Sequence, residues 1–201
     1  MKLRHAAASP FVRKVMVVAH ELGLASRIEL VPTTVSPVQA NNSLAADNPL
    51  MKVPALITDD GQVLFDSPVI CEYLDTLAGG HRFFPASGPA RWTALRQQAL
   101  GDGILDALVL CRYETTRPED KRWSGWTDGQ MKKAHQGLAV LDRADLSAPR
   151  TIGLVTFGCV LGYLDFRFPE DGWRRRHPKL AAWYKDVEQL PSMQATKPPQ
   201  A

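Results

Sequence analysis

Three places near the N-terminus pair a polar side chain with a chain geometry that exposes backbone groups. Ser9 stands before Pro10 at the head of an apolar-periodic run. At the mouth of such a helix the first N–H groups lack intrahelical partners and the helix dipole favours an anion, so a thiolate held there is stabilised. Val53 precedes Pro54 in the run NPLMKVPAL. A residue before proline is driven to extended geometry, and an X–Pro bond is the one common site of a cis peptide. Val53 is then placed to offer its N–H and C=O to an extended peptide, in the manner of strand addition. Asp66 and Ser67 precede Pro68 at a second helix start. The Ser67 hydroxyl and the adjacent N–H groups suit a carboxylate, and Asp66 suits an ammonium group. Taken singly, the serines and Asp66 also read as plain helix caps, and Pro54 as the start of an edge strand. Together they describe a ligand with an amino-acid head at Asp66–Ser67, a peptide bond at Val53 and a sulfur at Ser9.

The elements that must position these groups follow from periodicity. Lys2 to Ala6 reads as a strand. Val12, Val15, Met16, Ala19 and Leu22 then give one buried helix face, with Ser9 as cap, Pro10 at the first position and Gly23 as the stop. Ile28 to Val31 reads as a second strand, so the two strands of this βαβ unit should be parallel. Ala55 to Thr58 and Val63 to Phe65 flank Asp59-Asp60-Gly61-Gln62 as a hairpin, and Ser67 onward forms a helix that Gly79-Gly80 ends. The expected fold is an α/β domain (β-α-β, β-β-α) over residues 1–79, a Gly/Pro-rich linker over 80–89, an all-helical bundle over 90–190 and a mobile tail over 191–201. The bundle reads as helices at Ala90 to Thr116, Asp128 to Ala144, Thr151 to Phe168 and Pro178 to Leu190. The third is apolar on nearly every side, so it marks a helical core, and Gly158 and Gly162 allow a neighbouring helix to come close.

The blocks SPFVRKV, NPLMKVPAL, DSPVICEYLD and LGYLDFR, in this order, resemble the glutathione S-transferase superfamily over nearly the whole chain, and its small bacterial serine-type members in particular. The resemblance implies that the N-terminal α/β half is thioredoxin-like, that Ser9 directs its hydroxyl at the glutathione sulfur, that Val53 pairs with the cysteinyl peptide, and that Asp66 and Ser67 hold the γ-glutamyl end. It places Lys52 within reach of the glycyl carboxylate and Phe11 and Arg13 beside the sulfur. It implies a homodimer that uses glutathione as co-substrate, with no metal or bound cofactor, and attacks a small electrophile in the interdomain cleft as a detoxification enzyme. Serine at position 9 argues against thiol exchange, because a hydroxyl forms no mixed disulfide. Leu154, three residues after Thr151, stands where the family often has a capping acid, so half of a reciprocal cap is missing.

On the helix after the linker Leu95, Ala99, Asp102, Asp106, Val109 and Tyr113 share a stripe. If it faces the cleft, Asp102, Asp106 and Tyr113 border the electrophile; if it faces water, the acids are merely solvated. Leu100, Ile104, Leu108 and Cys111 are more apolar positions than one bundle comfortably buries, which points to two-fold pairing.

Composition narrows the alternatives. The chain has 201 residues, 45% hydrophobic and 22% charged, with a net charge of +3, which fits a folded protein and not a polycation built for phosphate backbones. Cys71, Cys111 and Cys159 stand alone with no metal-site spacing, and MKLRHAAASPF lacks an apolar signal core, so a reducing cytoplasmic setting is expected. The uncharged stretch from Thr151 to Leu164 is too short for a membrane span. Two rival readings stand beside the enzyme: a glutathione-binding or structural protein without turnover, and a nucleic-acid module using Trp173, Arg174, Arg175, Arg176, His177 and Lys179. Neither nucleic acid nor membrane is the expected partner.

Overall fold

The structure is a computed structural model and describes residues 1–147 and 149–199. The N-terminal domain is a four-stranded mixed sheet of order β2-β1-β3-β4, built from β1 (Lys2–His5), β2 (Glu29–Pro32), β3 (Ala55–Ile57) and β4 (Val63–Leu64). As the βαβ pattern requires, β1 and β2 are parallel, with Leu3 opposite Leu30, while β3 runs antiparallel to both β1 and β4. The β3–β4 hairpin turns through Gly61 at φ 84°, a backbone conformation that side-chain-bearing residues rarely adopt. Helix α1 (Pro10–Glu21) crosses between β1 and β2, α2 (Asn42–Ala45) is a single turn, and α3 (Ser67–Leu77) packs beside α1.

The helical domain consists of α4 (Gly88–Glu114), α5 (Ser124–Leu141), α6 (Ile152–Arg167), α7 (Trp173–Arg176), α8 (Pro178–Val187) and α9 (Pro191–Ala195). Every residue of α6 from Ile152 to Leu164 is buried, as its all-round apolar sequence demands. Gly158 lies against Val187, and Gly162 against Arg13 and Tyr184, so two helices close in where a Cβ would obstruct them. Helices α4 and α6 run parallel: Gly153 abuts Gln97, and Gly101 abuts Thr156 and Phe157. Helix α1 runs antiparallel to α6, because Arg13 meets Gly162 while Glu21, at the far end, meets Arg150.

The linker between the domains is pinned: Phe83 and Phe84 are buried, and the Asp75 carboxylate accepts their backbone N–H groups at 3.0 and 3.4 Å. Two features differ from the expectation. The chain from Pro191 to Ala195 is helical, with Ser192 and Met193 buried against α1; residues 200 and 201 of the expected tail lie outside the described residues. Finally, Ile104, Leu108 and Cys111 are buried inside this chain by α5 and α6, and Leu100 is partly buried against the same core, so that stripe supplies little surface for a second copy.

Candidate functional site

Ser9 has extended geometry (φ −79°, ψ 121°), and its Oγ accepts the Val12 N–H at 3.3 Å. Capping uses one lone pair and leaves the hydroxyl hydrogen to donate elsewhere, so the cap and a hydrogen bond to a sulfur anion are compatible. The remaining free N–H groups of α1 open on the same side.

The Val53–Pro54 bond is cis. The Val53 side chain is buried, and the β1–β3 ladder begins only at Ala55, so the N–H and C=O of Val53 lie outside it. What fixes the approach to Val53 is Asn48, which the sequence reading assigned no role. Its buried side chain donates from Nδ2 to the Lys52 carbonyl at 2.9 Å and accepts the Leu50 N–H at 3.0 Å. The available signal was Asn before Pro, a pairing that commonly anchors a turn through the side chain.

Asp66 occupies the cap position of α3 yet makes no side-chain capping bond, and Ser67, 1% exposed, is the first helical residue. Neither side chain is committed to holding the helix start. The carboxylate and hydroxyl therefore remain available at a second helix mouth of the same domain.

The stripe on α4 faces the N-terminal domain. Asp102 takes the ammonium of Lys14 in a two-oxygen contact, at 2.6 and 2.8 Å, and Lys14 is fully buried. Burial raises the Asp102 carboxyl above its ordinary value, and Lys14 opposes this. Asp106, one turn on, is more open. Its carboxyl is raised by partial burial, and the charges acting on it are Lys52, Asp66 and Lys14. Thus Lys52, Asp66 and Asp106 share one electrostatic neighbourhood at the cleft, with the half-buried Tyr113 further along α4. Phe11 is half-buried, its ring centroid 6.0 Å from the Lys14 ammonium.

Arg13, expected beside the sulfur, is placed in the seam of α1, α6 and α9, where its guanidinium donates to the Met193 carbonyl at 3.1 Å and packs against Gly162. The buried cation that does approach the cleft from α1 is Lys14, a residue the sequence reading left out.

Cys71 and Cys159 are fully buried, with thiols pushed up by burial to about 12 and about 11, so neither is a nucleophile at neutral pH. Among the described residues no group of three or more His, Cys, Asp or Glu is placed to hold a metal ion, and no single helix is long and apolar enough to cross a membrane. Two arginines of the basic run at α7 are paired within the chain: Arg174 with Asp165 and Glu188, Arg176 with Asp171. Trp173 is buried and donates to Asp165 at 2.8 Å. A shallow recess of about 500 Å³ along α5, lined by Met131 and His135, gathers none of the groups described above.

Comparison with known proteins identifies the family of this fold. Residues 8–77 match the glutathione S-transferase N-terminal domain and residues 124–186 the C-terminal domain. The chain is 32% identical over 206 residues, spanning all of both chains, to the uncharacterized GST-like protein YibF of Escherichia coli (strain K12). It is 50% identical, with a TM-score of 0.95 and 98% of each chain covered, to a glutathione transferase family member from Pseudomonas fluorescens Pf-5 with bound glutathione. A second structure of a family member from the same organism carries bound S-(propanoic acid)-glutathione, at 48% identity and a TM-score of 0.91 over 99% of this chain and 100% of that one.

Proposed function

The chain belongs to the glutathione S-transferase family, and from that premise we propose that it binds glutathione along the N-terminal domain, stabilises its thiolate at Ser9 and transfers it to a small electrophile in the cleft below α4. The observation that carries this reading is the uncommitted state of Asp66 and Ser67 at the head of α3, on the same domain as the unladdered backbone of Val53 and the free hydroxyl hydrogen of Ser9. Asp66 takes the γ-glutamyl ammonium, Ser67 and the α3 N–H groups take its carboxylate, Val53 pairs with the cysteinyl peptide, and Lys52 reaches the glycyl carboxylate. The sulfur then lies at the mouth of α1, where the dipole and the Ser9 hydroxyl favour the anion. The glutathione and S-(propanoic acid)-glutathione bound by the Pseudomonas relatives support a site of this kind.

The reaction needs only these groups. The thiol proton leaves to solvent, the sulfur lone pair attacks the electrophilic carbon, and the leaving group departs with its bonding pair. Glutathione serves as co-substrate. Three buried, unpaired cysteines suit a reducing compartment, so we place the enzyme in the cytoplasm. A homodimer is part of the proposal, through the seam of α3 and α4. There Arg91 pairs with Glu72 at 2.7 Å, and beside them Val69 and Trp92 are 47% and 68% exposed. The test is titration calorimetry with glutathione, followed by turnover against a panel of aryl halides, epoxides and unsaturated acceptors. No binding at millimolar glutathione overturns the site, and binding without any turnover leaves a glutathione-binding protein.

A further inference from the structure

The helix directions already established place a second cluster beside the expected sulfur position. Helix α1 runs antiparallel to α6, so the turn of α1 preceding Arg13, which carries Ser9, lies toward the C-terminal end of α6. Helix α4 runs parallel to α6, so its last turns accompany that same end. Tyr113 and Arg112 on α4 and Tyr163, Phe166 and Arg167 on α6 therefore converge there. Tyr163 meets Phe166 and Phe168 edge-on at 6.4 Å, and the Arg167 guanidinium stacks 4.0 Å from the Phe166 ring centre. The Tyr163 phenol feels Arg167, Tyr113 and Arg112.

The arginines here differ from most others in the chain. Arg4, Arg82, Arg91, Arg117, Arg150, Arg174 and Arg176 each pair with a carboxylate. Arg167 has no acidic partner among the described residues, and its buried Nε makes no hydrogen bond. Arg112 is likewise without an acid and only donates to Thr115 Oγ1. The Arg167 guanidinium also meets the Tyr163 phenol, and its terminal N–H groups not taken there form a fork for a planar anion. At the other end of the stripe, Asp106 lies seven residues before Tyr113, about 10 Å along α4, and repels an anion from that side.

We propose that the acceptor subsite selects electrophiles bearing a carboxylate on a short chain, held by Arg167 with Arg112 and walled by Tyr113, Tyr163 and Phe166. The inference rests on glutathione occupying the N-terminal domain as proposed above. With a halo-acid, the thiolate forms the C–S bond as the carbon–halogen bond breaks, and the halide leaves with the electron pair. The carboxylate passes through unchanged and serves only to orient the carbon.

The test uses S-carboxymethylglutathione and S-carbamoylmethylglutathione, two conjugates of nearly equal shape that differ in charge, titrated into the full chain by calorimetry. The carboxymethyl form should bind about tenfold tighter or more, the preference expected of a charge-assisted pair. Arg167→Met should bring the ratio of the two affinities close to one, while Arg167→Lys should keep part of it. In parallel, the ratio of kcat/KM for iodoacetate and iodoacetamide, corrected for the uncatalysed rates, should fall in Arg167→Met and Arg112→Met. Equal affinities in the parent, or an unchanged ratio in Arg167→Met, overturn the inference while leaving glutathione binding intact. Failure of glutathione itself to bind overturns both readings.

Discussion

The Lys14 ammonium lies between both carboxylate oxygens of Asp102, at 2.6 and 2.8 Å, and so ties α1 of the sheet domain to α4 of the helical domain. Lys14 is wholly buried and Asp102 only 17% exposed, so each charge depends on the other for the solvation it has lost. Lys14→Met should destabilise the fold by about 3–5 kcal/mol, because Asp102 is left buried and unpaired, and Lys14→Met with Asp102→Leu should recover much of that loss. Denaturant unfolding of the three proteins checks both statements.

The same pair predicts a pH dependence. Burial outweighs Lys14 and leaves the Asp102 carboxyl above its ordinary value. The folded chain then keeps a proton at a pH where the unfolded chain has released it, so this group's contribution to stability falls as pH rises from the ordinary carboxylate range through the raised value. Asp102→Asn cannot ionise and lacks the decline. The difference in unfolding free energy, parent minus variant, should therefore drop through that window and level off above it; a flat difference contradicts the raised value.

At the head of α3, Asp66 and Ser67 make no capping bond. Ser67→Ala should weaken glutathione binding by about 1–3 kcal/mol, the range for a lost hydrogen bond to a charged group, with little change in unfolding stability. Asp66→Asn should weaken it further at low salt than at high salt. Calorimetry at two ionic strengths separates ligand contact from helix capping.

How much of this was legible in the sequence is clearest along α1. The spacing of Val12, Val15, Met16 and Ala19 gave the helix and one buried face, and Ser9-Pro10 gave its start. The structure buries nearly every residue from Pro10 to Ala19, because α6 and α9 cover the side that a two-layer domain leaves to water. A period counts only one face, and the second was created by residues far along the chain. Lys14 and Arg13 were therefore invisible as buried groups: one was omitted and the other placed at the ligand. The strands, hairpin and α6 were legible because each carries its own local pattern. The short helix α9 was not, since five residues show no period.

Thr151 gives a prediction of unusual sign. It caps α6 by position, but its Oγ1 is buried without a hydrogen bond, and the Ile152 N–H goes instead to the Phe83 carbonyl at 3.0 Å. Losing a working threonine cap costs about 1 kcal/mol. Here Thr151→Val removes an unpaired hydroxyl at constant shape, and it should be neutral or stabilising by up to about 1 kcal/mol. Thermal unfolding decides, and a clear loss of stability would mean that the hydroxyl is bonded.

Burial holds the thiols of Cys71 and Cys159 at about 12 and about 11, and Cys111 is raised as well. An aromatic disulfide reagent at pH 8 should leave the native protein almost unlabelled and titrate all three cysteines in urea. Rapid labelling of even one in the native state contradicts the burial.

The last prediction concerns Ser9 itself. A free thiol ionises near pH 8.5, and a helix N-terminus with a donated hydrogen bond lowers that by about one to two units, each worth about 1.4 kcal/mol of preference for the thiolate. Ser9→Ala removes the donor and also the bond to the Val12 N–H, so the variant should lose about 1 kcal/mol of fold stability. The α1 dipole and the contacts of Val53 and Ser67 survive, so glutathione should still bind. The bound thiol should be less acidic, moving both the thiolate absorbance and the pH profile of kcat/KM to higher pH. Ser9→Thr keeps both the cap and the donor, and it should restore the parent profile wherever the added methyl fits. If Ser9→Ala loses stability but titrates and turns over like the parent, Ser9 serves α1 alone, and the anion is held by the backbone N–H groups with the buried charge of Lys14 behind them.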